Sequence, residues 1–432
     1  MDITTFDRIR TLMKSLWLIL LFGALLSAQD YDLLLKGGHL IDPKNKINAP
    51  MDVAILDGKI AKVAANIPAS SARQVADVKG LYVAPGLIDL HVHVYAGTGI
   101  RQAYTGDLSV YPDPMSFRSG VTTMVDAGTA GHRVFADFKQ RVIDRAKTRV
   151  LAFLNIVGGG MGPDGENDPG DMQWEAAAET ARRYPGVIVG FKTAHYKGDG
   201  WPSVDGAVKA GRATGLPVMV DFGFLNEERN LSILLEDKLR AGDIYTHCFS
   251  GNRDEVLNGK VNQAMINGRK RGVLFDVGHG GGSFYWHVAN AAMQQGFQPD
   301  TISSDMHVGS MNGGFKDMPN LLSKFLNLGM SLEQVIAKST WEPAKNIKHE
   351  ELGHLSVGAH ADVAVLKLEK GQFGFLDSAN VRMSGTQRLT NELTVMAGKV
   401  VWDLNGRAAP DWKTFKYKVN EYKLGPNTPK LP

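Results

Sequence analysis

The chain has 432 residues, of which 44% are hydrophobic and 22% charged, the ordinary composition of a globular protein. The formal net charge is only +3, so no electrostatic footprint indicates nucleic-acid binding. Cys248 is the single cysteine, which excludes intrachain disulfides and zinc sites built from cysteine pairs. Any metal ion would therefore have to be held by histidines and carboxylates.

The N-terminus has the features of an export signal. Arg8 and Lys14 precede an apolar run, residues 16–26, and Ala28 follows it. The run is too short for a helix that rises ~1.5 Å per residue to cross a bilayer of ~30 Å. We expect residues 1–28 to be a cleaved signal peptide and the mature protein to be periplasmic or secreted, without stable membrane insertion. An uncleaved N-terminal anchor is the alternative.

Short β-like segments occur near both ends of the chain. They comprise residues 32–36, 52–56 and 59–64, and then residues 362–367, 393–397 and 400–403. Asp57-Gly58 and Ala397-Gly398 each separate two such segments and predict tight hairpin turns. We expect residues 30–84 and 352–432 to form one composite β-sandwich domain.

The middle of the chain alternates between β-like and helical patterns. Eight β-like runs lie at residues 87–94, 121–127, 149–157, 187–194, 217–222, 244–249, 273–277 and 301–306. Helical periodicity lies at residues 134–147, 174–184, 204–214, 227–240, 255–271, 285–295 and 318–328. Eight βα units in about 250 residues predict an α/β fold, a (β/α)8 TIM barrel over residues 85–351. An open doubly wound sheet is the alternative, but no glycine-rich nucleotide motif follows the first strand.

Polar side chains end or follow six of these predicted strands. They are His91 and His93, Lys192, Asp221, His247, His279 and Asp305. Barrel active sites lie at the carboxyl ends of the strands, so we expect these side chains to converge.

Each residue type suits a metal centre, although each has a structural alternative. His91 and His93 are two apart on a strand, so their side chains point the same way, with Cα atoms about 7 Å apart. The amine of Lys192 would be costly to bury charged and, once neutral, can add carbon dioxide to form a metal-bridging carbamate. Asp305 could exchange protons with water. The alternatives are a lysine reaching solvent, a core histidine at His247 and a loop cap at Asp305.

Several segments resemble a known family. Residues 83–93, VAPGLIDLHVH, are similar to the opening strand of the amidohydrolase superfamily, and residues 353–362, GHLSVGAHAD, to its return into the β-domain. Residues 120–128, GVTTMVDAG, 246–249, THCF, and 275–280, FDVGHG, resemble the branch of deacetylases that are relatives of dihydroorotase. The resemblance covers residues 30–402.

The resemblance implies a centre of two divalent metal ions, usually zinc, bridged by carboxylated Lys192 and a hydroxide. His91 and His93 would hold one metal and His247 the second. Asp305 would bind the first metal and act as the catalytic acid and base, while His279 would contact the substrate. Hydroxide formed at neutral pH would attack the scissile carbonyl, and Asp305 would carry the proton to the leaving group.

One position departs from the family's pattern. The related deacetylases have a histidine at the end of the fifth strand, where this chain has Asp221. A carboxylate can ligate zinc at about 2.0–2.2 Å, and its charge could favour a harder ion such as manganese. We expect Asp221 to be a metal ligand. Alternatively, the second metal is weak or absent and His195, three residues beyond Lys192, takes part.

The leading functional hypothesis is a metal-dependent deacylase, or deacetylase, that hydrolyses an N-acyl or O-acyl acid. A cyclic amidohydrolase similar to dihydroorotase would need the same metals and is the alternative among enzymes. A metal-poor, non-catalytic binding protein is a third hypothesis. The expected partner is a small acyl substrate, not nucleic acid, and a homo-oligomer is compatible with the sequence.

Overall fold

The computed structural model describes residues 29–96, 108–162, 165–223 and 226–416. The predicted signal peptide and the last 16 residues of the predicted composite domain lie outside these ranges, so export stays a prediction. Within them, no helix combines the length and the apolar character needed to cross a membrane.

Strands and helices alternate through the middle of the chain, and strands dominate both ends. The strands are β1 (Tyr31–Lys36), β2 (His39–Asp42), β3 (Ile47–Pro50), β4 (Asp52–Leu56), β5 (Lys59–Ala64), β6 (Ala72–Asp77), β7 (Tyr82–Pro85), β8 (Leu87–Val92), β9 (Val121–Gly131), β10 (Arg149–Asn155), β11 (Ile188–Thr193), β12 (Val218–Val220), β13 (Ile244–Tyr245), β14 (Val256–Leu257), β15 (Lys260–Val261), β16 (Leu274–Phe275), β17 (Val363–Leu376), β18 (Arg382–Met396) and β19 (Lys399–Asp403). The α-helices are α1 (Pro112–Phe117), α2 (Phe135–Phe138), α3 (Trp174–Arg183), α4 (Pro202–Thr214), α5 (Gln263–Lys270), α6 (Trp286–Gln294), α7 (Met318–Asn327), α8 (Leu332–Ala337) and α9 (Trp341–Asn346). Short 3₁₀ turns lie at Ala69–Ser71 and Pro169–Asp171, and π-helical turns at Lys139–Ile143 and Ile233–Lys238.

The central sheet is parallel and curled. Its seven strands lie in the order β16-β13-β12-β11-β10-β9-β8, so neighbours in space are also neighbours along the chain. Alternate strand residues point to opposite faces, and both faces are buried, as parallel sheets require. The predicted parallel βαβ organisation is therefore confirmed.

The predicted eighth strand is present only as a segment with isolated bridges. Asp276 pairs with Thr301 on one side, and Val92 pairs with Met306 on the other, both in parallel orientation. Between these bridges the backbone nitrogen of Ser304 donates to the side-chain carboxylate of Asp89 on β8 instead of to a backbone carbonyl, which interrupts a regular ladder. The segment 301–306 nevertheless lies between the two edges of the curled sheet.

Two predicted helices are confirmed only in part, because each begins later in the structure than its periodicity indicates. Residues 255–271 begin instead with the hairpin β14–β15, whose turn at Asn258-Gly259 has φ values of 48° and 74°. Asn262 then caps α5. The predicted helix 227–240 is helical only over residues 231–238, mostly as the π-helical turn. Asn226 accepts hydrogen bonds from the backbone nitrogens of Glu228 and Arg229, which holds the preceding residues in a turn, and Asn230 accepts from Ile233 in the first helical turn.

Two further sheets are built from the ends of the described chain. One has the order β5-β4-β1-β6, and the other has the order β19-β18-β17-β7-β2-β3 and joins strands from both ends. The two predicted hairpin turns are confirmed: Asp57-Gly58 and Ala397-Gly398 both have positive φ at each residue, as the tight turn between twisted strands demands. A shared apolar core, with Leu33 and Val53 against Val363 and Leu393, holds the two sheets together.

Candidate metal centre

The predicted site residues lie at or just beyond the carboxyl ends of the central strands. His91 is in β8 and Lys192 in β11, while His93, Asp221, His247, His279 and Asp305 follow their strands or lie in the segment 301–306. His91, His247 and Asp305 each offer a ligand atom, and these three atoms lie within 4.8 Å of one another.

One group of contacts surrounds Asp305. Its Oδ1 atom lies 3.3 Å from Nε2 of His91 and 3.2 Å from Nε2 of His93. The buried Nζ atom of Lys192 lies 3.1 Å from the same nitrogen of His91. The structure thus brings His91, His93, Lys192 and Asp305 together.

A second group surrounds Asp221. Its Oδ2 atom lies 3.3 Å from Nε2 of His247 and 3.2 Å from Nε2 of His195. The guanidinium of Arg253 pairs with the other carboxylate oxygen, Oδ1. The two groups adjoin, because the ring centres of His91 and His247 are 5.1 Å apart.

The four histidines of these groups, His91, His93, His195 and His247, share one orientation and are called the four site histidines below. In each, Nδ1 is held by a protein oxygen: that of Thr246 at 3.1 Å, Thr129 at 2.8 Å, Glu166 at 2.8 Å and the carbonyl of Gly278 at 2.5 Å, respectively. In each, Nε2 faces a carboxylate. Fixing Nδ1 in this way is how proteins orient metal-ligating imidazoles.

Electrostatics suit the histidines and carboxylates to cation binding. Burial and the nearby Lys192 hold the pKa of His91 well below its usual range, so this imidazole is neutral and its nitrogen can donate electrons. Burial alone would raise the pKa of Asp305, but His91 and His93 outweigh it, and the net pKa lies well below the ordinary value. Asp305 is therefore ionised at neutral pH. Neutral imidazoles and carboxylates, without thiolates, fit zinc or manganese.

The surroundings of Asp221 favour positive charge. Burial raises the pKa of Asp221, but His247, Arg253 and His195 lower it, and the net pKa lies well below its usual range. Partial loss of solvation lowers the pKa of His195, whereas Asp221 and Glu166 raise it, to about 10. Two carboxylates flanking one imidazole stabilise either a proton or a metal ion at that ring.

Left-handed backbone conformations place three of these side chains. His195, His247 and Asp305 have φ values of 53°, 63° and 50°, which non-glycine residues adopt infrequently and mostly where function or tight packing demands it. Glycines supply the space: a Cβ atom on Gly128 would lie 2.6 Å from the Cβ and Cγ atoms of Lys192.

His279 differs from the four site histidines. It is fully buried, its Nε2 lies 2.6 Å from Nζ of Lys324, and its Nδ1 lies 2.9 Å from the carbonyl of Gly280. Its ring stacks on Phe284. Both ring nitrogens are engaged within the protein, so the substrate contact predicted for His279 stays a prediction that this arrangement does not support.

Sequence reasoning missed several residues that surround the centre. The hydroxyl of Thr246 hydrogen-bonds with Nδ1 of His91 and donates to the carboxylate of Asp276. Thr246 and Asp276 lie in the segments THCF and FDVGHG, so a polar residue in a buried segment was the signal that the sequence offered. Glu166 and Arg253 lie in loops without periodicity or motif. Only the tertiary contacts of these two residues reveal them.

The chain resembles characterised proteins over most of its length. A sequence model of the Amidohydrolase family matches residues 286–401. A deacetylase of Agrobacterium fabrum is 33% identical over 347 residues, covering 77% of this chain and 82% of the relative. Among solved structures, an adenine deaminase has a TM-score of 0.78 at 29% identity, covering 87% of this chain and 100% of the other. A dihydroorotase has a TM-score of 0.73 at 28% identity, covering 86% and 99%.

The chain therefore belongs to the amidohydrolase superfamily, in the branch that includes deacetylases and dihydroorotases, and is a hydrolase that acts on carbon–nitrogen bonds.

Proposed function

We propose that the protein is a metal-dependent deacylase that removes an acyl group from an N-acyl or O-acyl acid. The observation that carries the proposal is the convergence of His91, His247 and Asp305, whose ligand atoms lie within 4.8 Å of one another at strand ends. The relative from Agrobacterium fabrum, which is named a deacetylase, supports the choice of reaction.

The proposed centre uses every predicted metal-ligating residue. His91, His93 and Asp305 would hold one divalent ion, and His247 and Asp221 the second. Lys192, buried 3.1 Å from His91, would join the two as a carbamate. When bound, zinc or manganese polarises a carbonyl oxygen and lowers the pKa of water from about 15.7 to about 7.

Asp305 is the proposed catalytic acid and base. Its low pKa keeps it ionised at neutral pH, the state in which it can accept a proton. The carboxylate can return that proton to the departing nitrogen or oxygen.

We also infer that the curled sheet closes into a (β/α)8 barrel over residues 85–351. The bridges from Asp276 to Thr301 and from Val92 to Met306 support closure, because they connect the segment 301–306 to both edges of the sheet. The composite β-domain of residues 30–84 and 352–432 is proposed on the sheet that joins both ends of the chain.

Hydrolysis of a cyclic amide is the second candidate, favoured by the structural similarity to a dihydroorotase. The two reactions are separated by profiling zinc- and manganese-loaded protein on N-acetyl amino acids, O-acetyl hydroxy acids, dihydroorotate and hydantoins. We expect release of acetate from at least one acetylated acid, with kcat/KM well above that for any ring. Turnover confined to the rings would overturn the deacylase proposal.

A further inference from the structure

We propose that His195 replaces the strand-five histidine that this chain lacks, and that His195, His247 and Asp221 together hold the second metal ion. This inference rests on the proposed metal centre but adds a ligand that the family's pattern does not contain.

The four site histidines share one arrangement of their ring nitrogens. His195 repeats the arrangement of His91, His93 and His247: one ring nitrogen is held by a protein oxygen, and Nε2 faces a carboxylate. The centre thus contains two sets of the same composition, each with two imidazoles and one carboxylate. Asp305 serves the first set and Asp221 the second.

The distances between these Nε2 atoms and the carboxylate oxygens also favour a shared cation. The four contacts between Nε2 and carboxylate oxygen measure 3.2–3.3 Å. Charge-assisted hydrogen bonds between nitrogen and a carboxylate are shorter, about 2.7–2.9 Å. Two ligand atoms that each lie about 2.0–2.2 Å from a tetrahedral ion are roughly 3.3–3.6 Å apart. The spacing at His195 is therefore closer to that of ligands around a shared cation than to that of a hydrogen bond.

Two other histidines near the centre, His279 and His307, are arranged differently from His195. His279 has both ring nitrogens engaged, by Lys324 and by the carbonyl of Gly280. His307 accepts a hydrogen bond on Nδ1 from the backbone nitrogen of Gly309. Neither has a ring nitrogen within ion-pair distance of Asp221. This contact therefore distinguishes His195 from both of them.

Local structure explains why His195 reaches the centre from outside its strand. It lies three residues beyond Lys192, and its left-handed φ of 53° turns the chain after β11. Gly223 packs against this turn so closely that a Cβ atom there would lie 2.8 Å from the carbonyl oxygen of Tyr196. The segment after Asp221 and the segment containing His195 are therefore held side by side.

Arg253 and Glu166 orient Asp221 and His195, respectively. Arg253 occupies Oδ1 of Asp221 and leaves Oδ2 to face the two histidines. Glu166, which is buried, binds Nδ1 of His195 at 2.8 Å and so directs Nε2 toward Asp221. A carboxylate behind a ligating histidine is the usual support of a metal site.

The test is the metal content of purified, zinc-saturated full-length protein after dialysis, measured by inductively coupled plasma mass spectrometry. We expect two zinc ions per chain in the wild type and one in His195→Ala. The His195 side chain is 53% exposed, so this variant should fold, which circular dichroism verifies. The matched control, His307→Ala, should keep two ions.

A second variant keeps the inference testable if His195→Ala does not fold. Glu166→Gln keeps His195 but removes the carboxylate behind it, and should weaken the second ion about 10–100-fold while the first is unchanged. One ion per wild-type chain, or two ions of unchanged affinity in His195→Ala, would overturn the inference while leaving the deacylase proposal intact. If the wild type binds two ions but hydrolyses no acyl acid, the proposed function is wrong and the ligand assignment stands.

Discussion

Asp305 combines burial with two histidine contacts through one carboxylate oxygen. Asp305→Asn keeps the size and the tolerance of left-handed φ but cannot accept a proton. We expect kcat to fall by at least about 10²–10⁴-fold, the usual contribution of acid–base catalysis, while the fold survives. Steady-state kinetics and a thermal melt on the same variant measure both quantities.

The matched control for Asp305 is Asp317→Asn. Asp317 caps α7 by accepting a hydrogen bond from the backbone nitrogen of Asn320, and asparagine caps equally well, so activity should be retained. If Asp305→Asn lost stability but kept its turnover, Asp305 would be a structural cap and not part of the chemistry.

Lys192 is predicted to bridge the metals, and its replacement is therefore more damaging than a lost ion pair. Lys192→Ala should lose most activity and much of the bound metal, because the amine that forms the carbamate is gone. Short carboxylic acids in solution should restore part of the activity. Lys209→Ala, at an exposed position on α4, is the control. Full metal and wild-type turnover in Lys192→Ala would contradict a bridging role.

At the residue scale the sequence was informative where polar side chains end apolar strands. His91, His93, Lys192, Asp221, His247 and Asp305 were all identified in this way, and the structure brings them into two adjoining groups. The partners in loops were not identifiable, because Glu166 and Arg253 approach the site only through tertiary folding. No local pattern encodes which carboxylate will lie behind His195.

The strands and helices show the same contrast between what local sequence patterns predict and what they do not. Strands β10 and β11 were predicted to within two residues at each end, because long apolar runs buried on both faces have few alternatives. Strand β9 begins where it was predicted but runs four residues further, to Gly131. The helices expected at 227–240 and 255–271 are shorter than predicted, because the turn at Asn226 and the hairpin β14–β15 occupy their first residues. Asn230 and Asn262 then accept hydrogen bonds from backbone nitrogens of the first helical turn and set where each helix begins.

Helix α7 contributes a buried lysine that ties three segments together. Nζ of Lys324 lies 2.6 Å from Nε2 of His279 and donates to the carbonyls of Gly314 and Leu376. Burial lowers its pKa to about 7, against the opposing effect of Asp377. The folded protein thus releases a proton that the unfolded chain retains up to its ordinary pKa of 10.5.

This difference predicts how stability depends on pH. Between about pH 7 and pH 10.5 the unfolded state binds more protons at Lys324, so the free energy of unfolding rises with pH in that window. Lys324→Met lacks the titration. The free energy of unfolding of the wild type relative to this variant should therefore increase between about pH 7 and about pH 9.5 in urea denaturation. A difference that stays flat or falls would show that Lys324 titrates normally in the folded protein.

For the whole molecule, alternating βα units predicted the parallel sheet, and the two β-rich ends predicted the terminal sheets. Neither prediction depended on the site. Barrel closure was also predicted from the eight βα units and stays a proposal, because the segment 301–306 forms isolated bridges with both edges of the sheet instead of a regular ladder. Export also stays a prediction, which N-terminal sequencing of the native protein would check against a start near Gln29.

The central claim is that a metal ion held at these strand ends carries out the hydrolysis. The most direct measurement is acetate release from an acetylated acid by chelator-treated full-length protein, titrated with zinc. We expect activity to be at least about 10²-fold lower without metal and to rise with added zinc until the site is filled, because the bound ion lowers the pKa of water to about 7 and polarises the scissile carbonyl. Undiminished hydrolysis by protein shown to contain no metal would contradict the account.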